Sequence, residues 1–244
     1  MRAIGLIPSR LKSTRLPNKA LLLIDGLPVV VHTLKRAQLA KSLMDVYVCT
    51  DSEEVSDAVR SHGGKVIMTG ESHQNGTERI AEAAQGLDAD IFVDIQGDEP
   101  LVNPDHIDAV IAEHAEHSEW DILVPSLPIT HPENRHIVKI VHDANYRIIF
   151  MSRSVIPQPF RHQPGFFLKH LSVISFKAAA LEQFISLEPG FLEYIESIEL
   201  LRAIENGMVI GTMILEGDSF SVDIKEDFAR AQEQMKEDEI RRRY

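Results

Sequence analysis

Four cationic side chains, those of Arg10, Lys12, Arg15 and Lys19, follow the first apolar run of the chain, residues 3–7. Cations this close repel one another, so an anion bound between them removes the repulsion and adds charge-assisted contacts. A triphosphate would meet that requirement. A solvated basic loop is the plainer alternative. Phosphate binding is favoured because ligands of open parallel sheets bind outside the carboxyl ends of the strands.

The segment 94–100, Asp-Ile-Gln-Gly-Asp-Glu-Pro, places acidic side chains at the end of another apolar run. Asp98 and Glu99 follow Gly97, which allows close approach of the backbone. Asp223 supplies a further carboxylate from a distant part of the chain. Two carboxylates, completed by water and phosphate oxygens, can hold one octahedral Mg²⁺ ion. We therefore predict a magnesium site at Asp98 and Asp223.

A polar turn, Gln74, Asn75 and Gly76, precedes a helical segment that begins at Thr77. Capping of that helix is one explanation for these residue types. Contact with the edge of a nucleotide base is another, and the sequence does not decide between them. Asp51 is equally ambiguous, because it either caps the next helix or faces a ligand.

Composition and charge exclude several classes of protein. The formal net charge is −12 and the pI is near 5.4, which disfavours binding to nucleic acids or anionic membranes. The single cysteine, Cys49, excludes an intrachain disulfide and a cysteine metal cage. The first apolar run is too short for a secretory signal, and no run approaches a membrane span. We expect a cytoplasmic protein without membrane insertion.

Several familiar motifs are missing from the sequence. There is no G-x-G-x-x-G after the first predicted strand and no G-x-x-x-x-G-K-[ST] anywhere, so a dinucleotide fingerprint or a P-loop has no support. There is also no G-x-S-x-G and no H-E-x-x-H among the eleven histidines. If a nucleotide binds, side-chain cations must replace the backbone amides of those folds.

Apolar runs alternate with amphipathic segments over the first 115 residues. This alternation predicts a parallel sheet covered by helices on both faces. The predicted strands are residues 3–7, 45–50, 65–68, 91–94, 122–128, 136–142, 168–176 and 209–215. The predicted helices are residues 29–40, 52–62, 77–85, 105–114, 192–206 and 226–244, the last being a solvated surface helix. We expect one continuous domain, 1–244.

Three stretches in order, IPSRLKSTRLPNKAL, HQNGTERIAEA and DIQGDEPLVNP, followed by FLKHL and VDIKEDF, resemble the 3-deoxy-manno-octulosonate cytidylyltransferases. The resemblance runs over nearly the whole chain. It implies a nucleotide-diphospho-sugar transferase-like, three-layer α/β fold with a mainly parallel sheet and added antiparallel strands in the second half. Residues 1–115 would bind the nucleotide, and residues 116–244 would bind the sugar and form a homodimer.

The resemblance also implies an activity. The family uses CTP and Mg²⁺ to convert a 2-keto-3-deoxy sugar acid into a CMP-sugar and pyrophosphate, in the synthesis of cell-surface polysaccharides such as lipopolysaccharide. Arg10 and Lys19 match phosphate contacts, with Arg15 nearby. Asp98 and Asp223 match the Mg²⁺ ligands. Arg10, Lys19 and Asp98 would then be the catalytic residues.

The remaining matches concern the base and the sugar. Gln74, Asn75 and Gly76 fall where the family contacts cytidine. The positions expected near the sugar acid are Glu99, Arg153, His170 and Glu199.

Two positions depart from the family pattern on the sugar side. Ile174 replaces an expected tyrosine, and Leu200 replaces an expected glutamine. A mismatched buried polar group costs about 1–3 kcal/mol, which is enough to change the preference between related sugars. The acceptor is expected to be 3-deoxy-D-manno-octulosonate, with its 8-amino analogue or a capsule sugar as alternatives. A nucleotide-binding homologue without turnover also stays open.

Overall fold

The structure is a computed structural model that describes residues 1–13 and 15–244. Its strands are β1 (Ala3–Pro8), β2 (Leu23–Ile24), β3 (Leu27–Pro28), β4 (Leu43–Thr50), β5 (Lys65–Met68), β6 (Ile91–Ile95), β7 (Ile122–Leu123), β8 (Ser126–Ile129), β9 (Lys139–His142), β10 (Ile148–Ser152), β11 (Phe167–His170), β12 (Val173–Lys177) and β13 (Ile210–Gly211). Its α-helices are α1 (Val29–Ala37), α2 (Glu53–Ser61), α3 (Gly76–Ala84), α4 (Pro104–Glu116), α5 (Ala178–Ser186), α6 (Phe191–Glu196), α7 (Leu201–Glu205) and α8 (Lys225–Glu237). Two short 3₁₀ helices are Lys19–Leu21 and Ile240–Arg243.

A seven-stranded sheet forms the centre of the fold, in the order β13-β7-β12-β6-β1-β4-β5. The strands β6, β1, β4 and β5 are parallel, and β12 runs antiparallel to both of its neighbours. The predicted fold class is therefore confirmed: a mainly parallel sheet with antiparallel strands from the second half of the chain. The central strands β1 and β6 agree closely with the sequence prediction, because they are buried on both faces and read as continuous apolar runs. The short strands β2 and β3 were not predicted.

Each face of this sheet carries its own apolar core. On one face α1, α2 and α4 pack against the sheet, with Val31, Val59 and Ile107 fully buried. On the other face α3, α5 and α7 do the same, with Ile80 and Phe184 fully buried. Helix, sheet and helix thus make three layers, as the covered parallel strands predict.

A second sheet, β10-β9-β11-β8, is four-stranded and antiparallel, and it corrects two sequence predictions. The runs 122–128 and 168–176 are not single strands, since each divides between the two sheets. Leu171, at the junction of β11 and β12, donates its backbone N–H to the carbonyl of Pro125 at 2.9 Å. Pro125 and Ser172 lie at the two junctions, where the chain passes from one sheet to the other.

The predicted helix 192–206 is also wrong, because the structure divides it into α6 and α7. The break lies at Ser197, which adopts a left-handed conformation with φ of 50° and ends α6. Left-handed backbone is unfavourable for a residue with a Cβ atom, so the surrounding contacts must hold it. The break places Ile198, Glu199 and Leu200 in a bend between the two helices.

The charged segment 226–244 is more than the solvated helix that its composition predicts. Helix α8 buries Ala231 and Met235 in a third apolar cluster, together with Leu16 from the basic loop and Ile24 from β2. Further along, the Tyr244 hydroxyl lies 2.8 Å from Nδ1 of His32. This segment therefore packs behind the loop that carries the predicted phosphate-binding cations.

The longest described helices, α4 and α8, have 13 residues each. Across residues 1–13 and 15–244, no helix combines the length and the apolarity that a membrane span requires.

Candidate active site

A polar cavity of about 320 Å³ lies outside the carboxyl ends of β1 and β6. Gly97 allows the segment after β6 to approach the end of β1 closely, since a Cβ atom on it would lie 2.7 Å from the carbonyl oxygen of Pro8. The charged side chains that line the cavity are five cations and two carboxylates: Arg10, Lys12, Arg15, Lys19, Arg79, Asp98 and Asp223. The excess of positive charge suits a polyanionic ligand.

Asp98 and Asp223 converge on one cation, although they are far apart in the sequence. The Lys19 ammonium group contacts the Asp98 carboxylate directly and donates to Oδ1 of Asp223 at 2.9 Å. Arg15 pairs with the same Asp223 oxygen at 3.0 Å. The structure therefore brings together the two acids and two of the cations that the sequence singled out.

The charges in this group affect one another. Burial opposes the charge on Lys19, but Asp98 and Asp223 outweigh burial and raise the pKa of its ammonium group. Burial likewise opposes the charge on Asp223, and the cations Lys19 and Arg15 lower the pKa of its carboxyl group. Each group is thus held in its charged form near neutral pH.

Backbone and capping contacts fix the position of Asp223. Its neighbour Val222 donates a backbone N–H to the carbonyl of Asp98 at 2.8 Å, which joins the two segments that carry the acids. Asp227, in the first turn of α8, accepts from the backbone N–H groups of Asp223 and Ile224, both at 3.1 Å. Asp227 was not singled out from the sequence, although an acid in the first turn of a helix is a recognisable capping signal.

Helix capping, one of the two roles that the sequence left open for the turn Gln74–Gly76, is observed, and contact with a base stays a prediction. Asn75 caps α3, because its Oδ1 accepts from the backbone N–H of Glu78 at 2.8 Å. All three residues of the turn also line the cavity. His73, missed in the sequence analysis, lines it as well and contacts the carboxylate of Glu82.

A second cavity of about 630 Å³ adjoins the first. The two share five lining residues: Gln74, Asn75, Gly76, Gln96 and Asp98. Apolar side chains form much of the second wall, among them Val138, Ile174, Ile198 and Leu200. An acceptor in this second cavity would lie next to Asp98 and to a nucleotide in the first.

Three of the predicted sugar contacts line this second cavity: Arg153, His170 and Glu199. The guanidinium group of Arg153 is fixed by two hydrogen bonds. It donates from Nε to the carbonyl of Glu196 at 2.8 Å and from Nη2 to that of Ser197 at 3.0 Å. Burial lowers the pKa of His170 to about 4, with a contribution from Arg153, so the imidazole is neutral at pH 7.

Burial also raises the pKa of Glu199 to about 7, although a hydrogen bond from Thr77 acts in the opposite direction. Asp94, at the end of β6, is fully buried, and its pKa is raised by burial and by the nearby Glu199. Burial thus opposes the charge on Glu199, which lines the second cavity, and on the nearby Asp94, whereas the cations of the first cavity favour the charged form of Asp223.

Glu99, the fourth predicted sugar contact, lies behind the cavity wall. Its carboxyl group is buried and contacts the hydroxyl groups of Ser219 and Ser221, the latter at 3.3 Å. Burial raises the pKa of this carboxyl group despite those hydrogen bonds. Direct contact between Glu99 and a sugar stays a prediction, and the structure gives Glu99 a role in holding the segment before Asp223.

Only two of the described acids, Asp98 and Asp223, line the first cavity, and the residues that the structure describes form no cluster of three or more histidine, cysteine or acidic side chains able to hold a metal ion. A divalent ion here would need further ligands from water or from phosphate, as is usual for Mg²⁺ bound with a nucleotide.

The family model for cytidylyltransferases matches residues 4–210. A 3-deoxy-manno-octulosonate cytidylyltransferase of Chloroherpeton thalassium is 40% identical over 237 residues, which cover 94% of this chain and 96% of the relative. The chain belongs to the 3-deoxy-manno-octulosonate cytidylyltransferase family. The resemblance stated from the sequence motifs is thereby confirmed.

Further members of the 3-deoxy-manno-octulosonate cytidylyltransferase family agree with this assignment. The one from Rickettsia massiliae is 38% identical over 232 residues, covering 93% of this chain and 92% of the relative. A solved structure of CMP:2-keto-3-deoxy-manno-octonic acid synthetase complexed with CTP is 30% identical, has a TM-score of 0.93, and covers 97% of this chain and 99% of its own. A Leptospira borgpetersenii cytidylyltransferase, at 18% identity and a TM-score of 0.64, shares the fold; the match covers 97% of this chain and 87% of its own.

Proposed function

We propose that the protein transfers the cytidylyl group of CTP to 3-deoxy-D-manno-octulosonate, giving the CMP-sugar and pyrophosphate. The family supports this activity, and the two adjoining cavities provide separate places for the two substrates. The observation that carries the proposal is the position of Asp98, which lines both cavities and shares the Lys19 ammonium group with Asp223.

The reaction is an in-line displacement at phosphorus. The anomeric hydroxyl oxygen of the sugar acid forms a bond to the α-phosphorus and gives up its proton to solvent water. The bond between that phosphorus and the oxygen bridging to the β-phosphorus breaks, and pyrophosphate leaves. Negative charge grows on the phosphate oxygens, so catalysis depends mostly on electrostatic stabilisation. Arg10, Arg15 and Lys19 supply fixed positive charge beside the leaving pyrophosphate.

The residues of the first cavity fit a magnesium ion. Asp98 and Asp223 already converge on the charge of the Lys19 ammonium group, so a divalent cation would find two carboxylates within one small volume. We propose that these two acids hold Mg²⁺, with water and phosphate oxygens as the remaining ligands. When bound, the ion would neutralise charge on the phosphates and lower the pKa of an attacking hydroxyl group.

The second cavity supports the binding of a sugar acid. Arg153 supplies a cation for the acceptor carboxylate, and its anchored guanidinium group loses little conformational freedom on binding. His170, neutral at pH 7, can both donate and accept a hydrogen bond.

The proposal is tested by measuring pyrophosphate release with CTP against a panel of 2-keto-3-deoxy sugar acids that includes the 8-amino analogue. We expect the highest kcat/KM with 3-deoxy-D-manno-octulosonate, and no turnover with ATP, GTP or UTP in place of CTP. Turnover should stop in EDTA and return with Mg²⁺. Binding of CTP without pyrophosphate release on any acceptor would overturn the proposal and favour a silent homologue.

We infer from the family resemblance that two copies of the chain associate. Large apolar side chains that would be costly to leave in water are exposed on the described surface, among them Phe160 at 92% and Tyr194 at 82%. Light scattering at several concentrations would test the homodimer.

Three further expectations stay predictions. They are a cytoplasmic location, the absence of nucleic-acid binding, and the division into a nucleotide-binding part, 1–115, and a sugar-binding part, 116–244.

A further inference from the structure

The first turn of α3 contacts the acceptor wall directly. Thr77, fully buried, donates its hydroxyl proton to Oε1 of Glu199 at 2.8 Å. Thr77 follows the Gln74–Gly76 turn of the nucleotide cavity, whereas Glu199 lies in the bend between α6 and α7 and lines the acceptor cavity. One hydrogen bond therefore joins the two halves of the site.

A second connection runs in parallel through Glu78. This carboxylate accepts from the backbone N–H of Gln74 at 2.8 Å and from Nδ2 of Asn75 at 3.1 Å, so it holds the nucleotide turn. On its other side it lies 4.0 Å from Nη2 of the buried Arg202. Arg202 in turn makes two 2.7 Å hydrogen bonds to Glu193 of α6.

These contacts contribute to the position of the acceptor wall on the side that faces α3. Helix α6, which the structure describes in full, buries none of its side chains, and the left-handed Ser197 separates it from α7. Besides Arg202, Glu205 holds the start of α6 by accepting from the backbone N–H of Leu192 at 3.1 Å. Glu196 holds its end by accepting from the Ser152 hydroxyl group at 2.6 Å and from the backbone N–H of Arg153 at 2.9 Å. A short helix with few buried apolar contacts is easily displaced, so ordering it has a cost.

Glu199 has one oxygen available to a ligand. Its Oε1 is used by Thr77, while Oε2 is buried and has no hydrogen-bond partner among the described residues. A buried polar atom without a hydrogen-bond partner is unfavourable unless a bound molecule supplies that partner. Because Glu199 lines the acceptor cavity, a hydroxyl group of the acceptor is the natural partner.

We propose that the first turn of α3 couples the two substrate sites, with Thr77 as the positioning residue for Glu199 and Glu78 as the link through Arg202 to α6. The inference rests on the proposed function, because it assigns the two ligands to these cavities. A nucleotide that fixes the Gln74–Gly76 turn also fixes Thr77 and Glu78. The acceptor then meets a wall that is already ordered, and each ligand tightens the binding of the other.

Calorimetric titration tests the coupling, using Mg²⁺, α,β-methylene-CTP, which cannot release pyrophosphate, and 3-deoxy-D-manno-octulosonate. In the wild-type protein we expect each ligand to lower the Kd of the other by the same factor, about tenfold. In Thr77→Val we expect this factor to fall below about threefold, while the Kd of the nucleotide analogue alone changes less than twofold. Thr77→Ser, which keeps the hydroxyl group, should retain the wild-type factor.

The pH dependence of acceptor binding gives a readout that a purely structural role of Thr77 would not move. The Glu199 carboxyl group loses its proton near pH 7, and the Thr77 hydrogen bond stabilises the ionised form. Loss of the hydroxyl group should therefore move the titration midpoint of the acceptor Kd to higher pH in Thr77→Val and not in Thr77→Ser. The other charged or titratable groups that act on or lie near Glu199 are Glu78, Asp94, Arg153, His170, Glu193 and Arg202.

Wild-type coupling in a folded Thr77→Val variant, or the absence of coupling in the wild-type protein, would overturn the inference. If Thr77→Val fails to fold, Glu193→Gln tests the second connection and should also reduce the coupling factor. Pyrophosphate release by the wild-type protein is measured separately. Its absence would refute the proposed function, whereas normal release without coupling would refute only this inference.

Discussion

The two cavities that meet at Asp98 handle polar groups in opposite ways. In the nucleotide cavity, Lys19 and Asp223 pair with each other and keep their charges. In the acceptor cavity, burial moves Glu199 and His170 towards their neutral forms, with pKa values of about 7 and about 4. Paired charges are concentrated where phosphates would lie, whereas burial opposes the charges of Glu199 and His170 in the neighbouring cavity.

This difference follows from what each substrate demands. A triphosphate brings several negative charges and develops more in the transition state, so fixed cations and a metal ion stabilise it. The acceptor brings one carboxylate and several hydroxyl groups, and its recognition depends on hydrogen bonds and shape. Substitutions in the first cavity should therefore affect the rate, and those in the second should affect the choice of acceptor.

The largest effect is expected for Asp98→Asn, which keeps the size of the side chain and removes its charge. If Asp98 holds Mg²⁺ as proposed, its loss removes several kcal/mol of transition-state stabilisation, so kcat/KM should fall about 1,000-fold or more. Pyrophosphate release measures the loss, and circular dichroism checks that the fold is retained.

Asp223→Asn provides a matched variant, because Asp223 pairs with the same Lys19 ammonium group as Asp98. We expect it to lower kcat/KM by a similar factor. Turnover of either variant near the wild-type rate would contradict the metal assignment. A Mg²⁺ titration adds an independent check, because both variants should need a higher magnesium concentration for half-maximal rate.

Lys19→Met and Arg15→Met compare two cations of the same cavity, and they are expected to have smaller effects. The Lys19 side chain is 17% exposed and contacts both acids, whereas that of Arg15 is 53% exposed and pairs, among the acids that the structure describes, with Asp223 alone. Solvent screens the more exposed charge. We expect a loss in kcat/KM for CTP of about 100-fold for Lys19→Met, as for other transition-state donors, and of about tenfold or less for Arg15→Met. Equal losses would contradict this ranking.

The nucleotide cavity could be predicted from the sequence to a large extent. Its residues follow parallel strands whose apolar runs are easy to recognise, as in β6, predicted at 91–94 and observed at Ile91–Ile95. The rule that ligands bind at carboxyl ends of such strands then directs attention to the basic loop and Asp98. The role of Val222 in joining Asp98 to Asp223 could not be predicted, since backbone pairing of distant segments leaves no local pattern.

The acceptor cavity was harder to predict because its parts depend on tertiary contacts. The bend that carries Glu199 lies inside a segment with helical periodicity, and the left-handed Ser197 is not a residue type that marks such a break. Thr77 is an ordinary residue type for the first turn of a helix, and its contact with Glu199 arises only when the chain folds. The family resemblance supplied Arg153, His170 and Glu199, which the residue pattern alone did not.

The apolar wall of the acceptor cavity can be tested by Ile174→Tyr combined with Leu200→Gln. Both side chains are almost completely buried and line the cavity. The change restores two hydrogen-bonding groups, each of which favours a matching sugar hydroxyl group by about 1–3 kcal/mol. We expect the ratio of kcat/KM values between 3-deoxy-D-manno-octulosonate and its 8-amino analogue to change at least fivefold, while the KM for CTP changes less than twofold. An unchanged ratio would contradict a role in acceptor preference.

The smallest effect concerns a region behind the nucleotide cavity and should be one of stability alone. The Tyr244 hydroxyl group lies 2.8 Å from Nδ1 of the buried His32 and 3.4 Å from Nε of the buried Arg36. Tyr244→Phe leaves these groups without their partner, so the free energy of unfolding should fall by about 1–3 kcal/mol. Urea denaturation measures the change. The half-exposed Tyr146 provides the control, because Tyr146→Phe should alter that free energy by about 0.5 kcal/mol or less. Since Tyr244 lines neither cavity, kcat/KM at 25 °C should stay within twofold of wild type. A larger loss would mean that the Tyr244 contacts also affect the position of the basic loop.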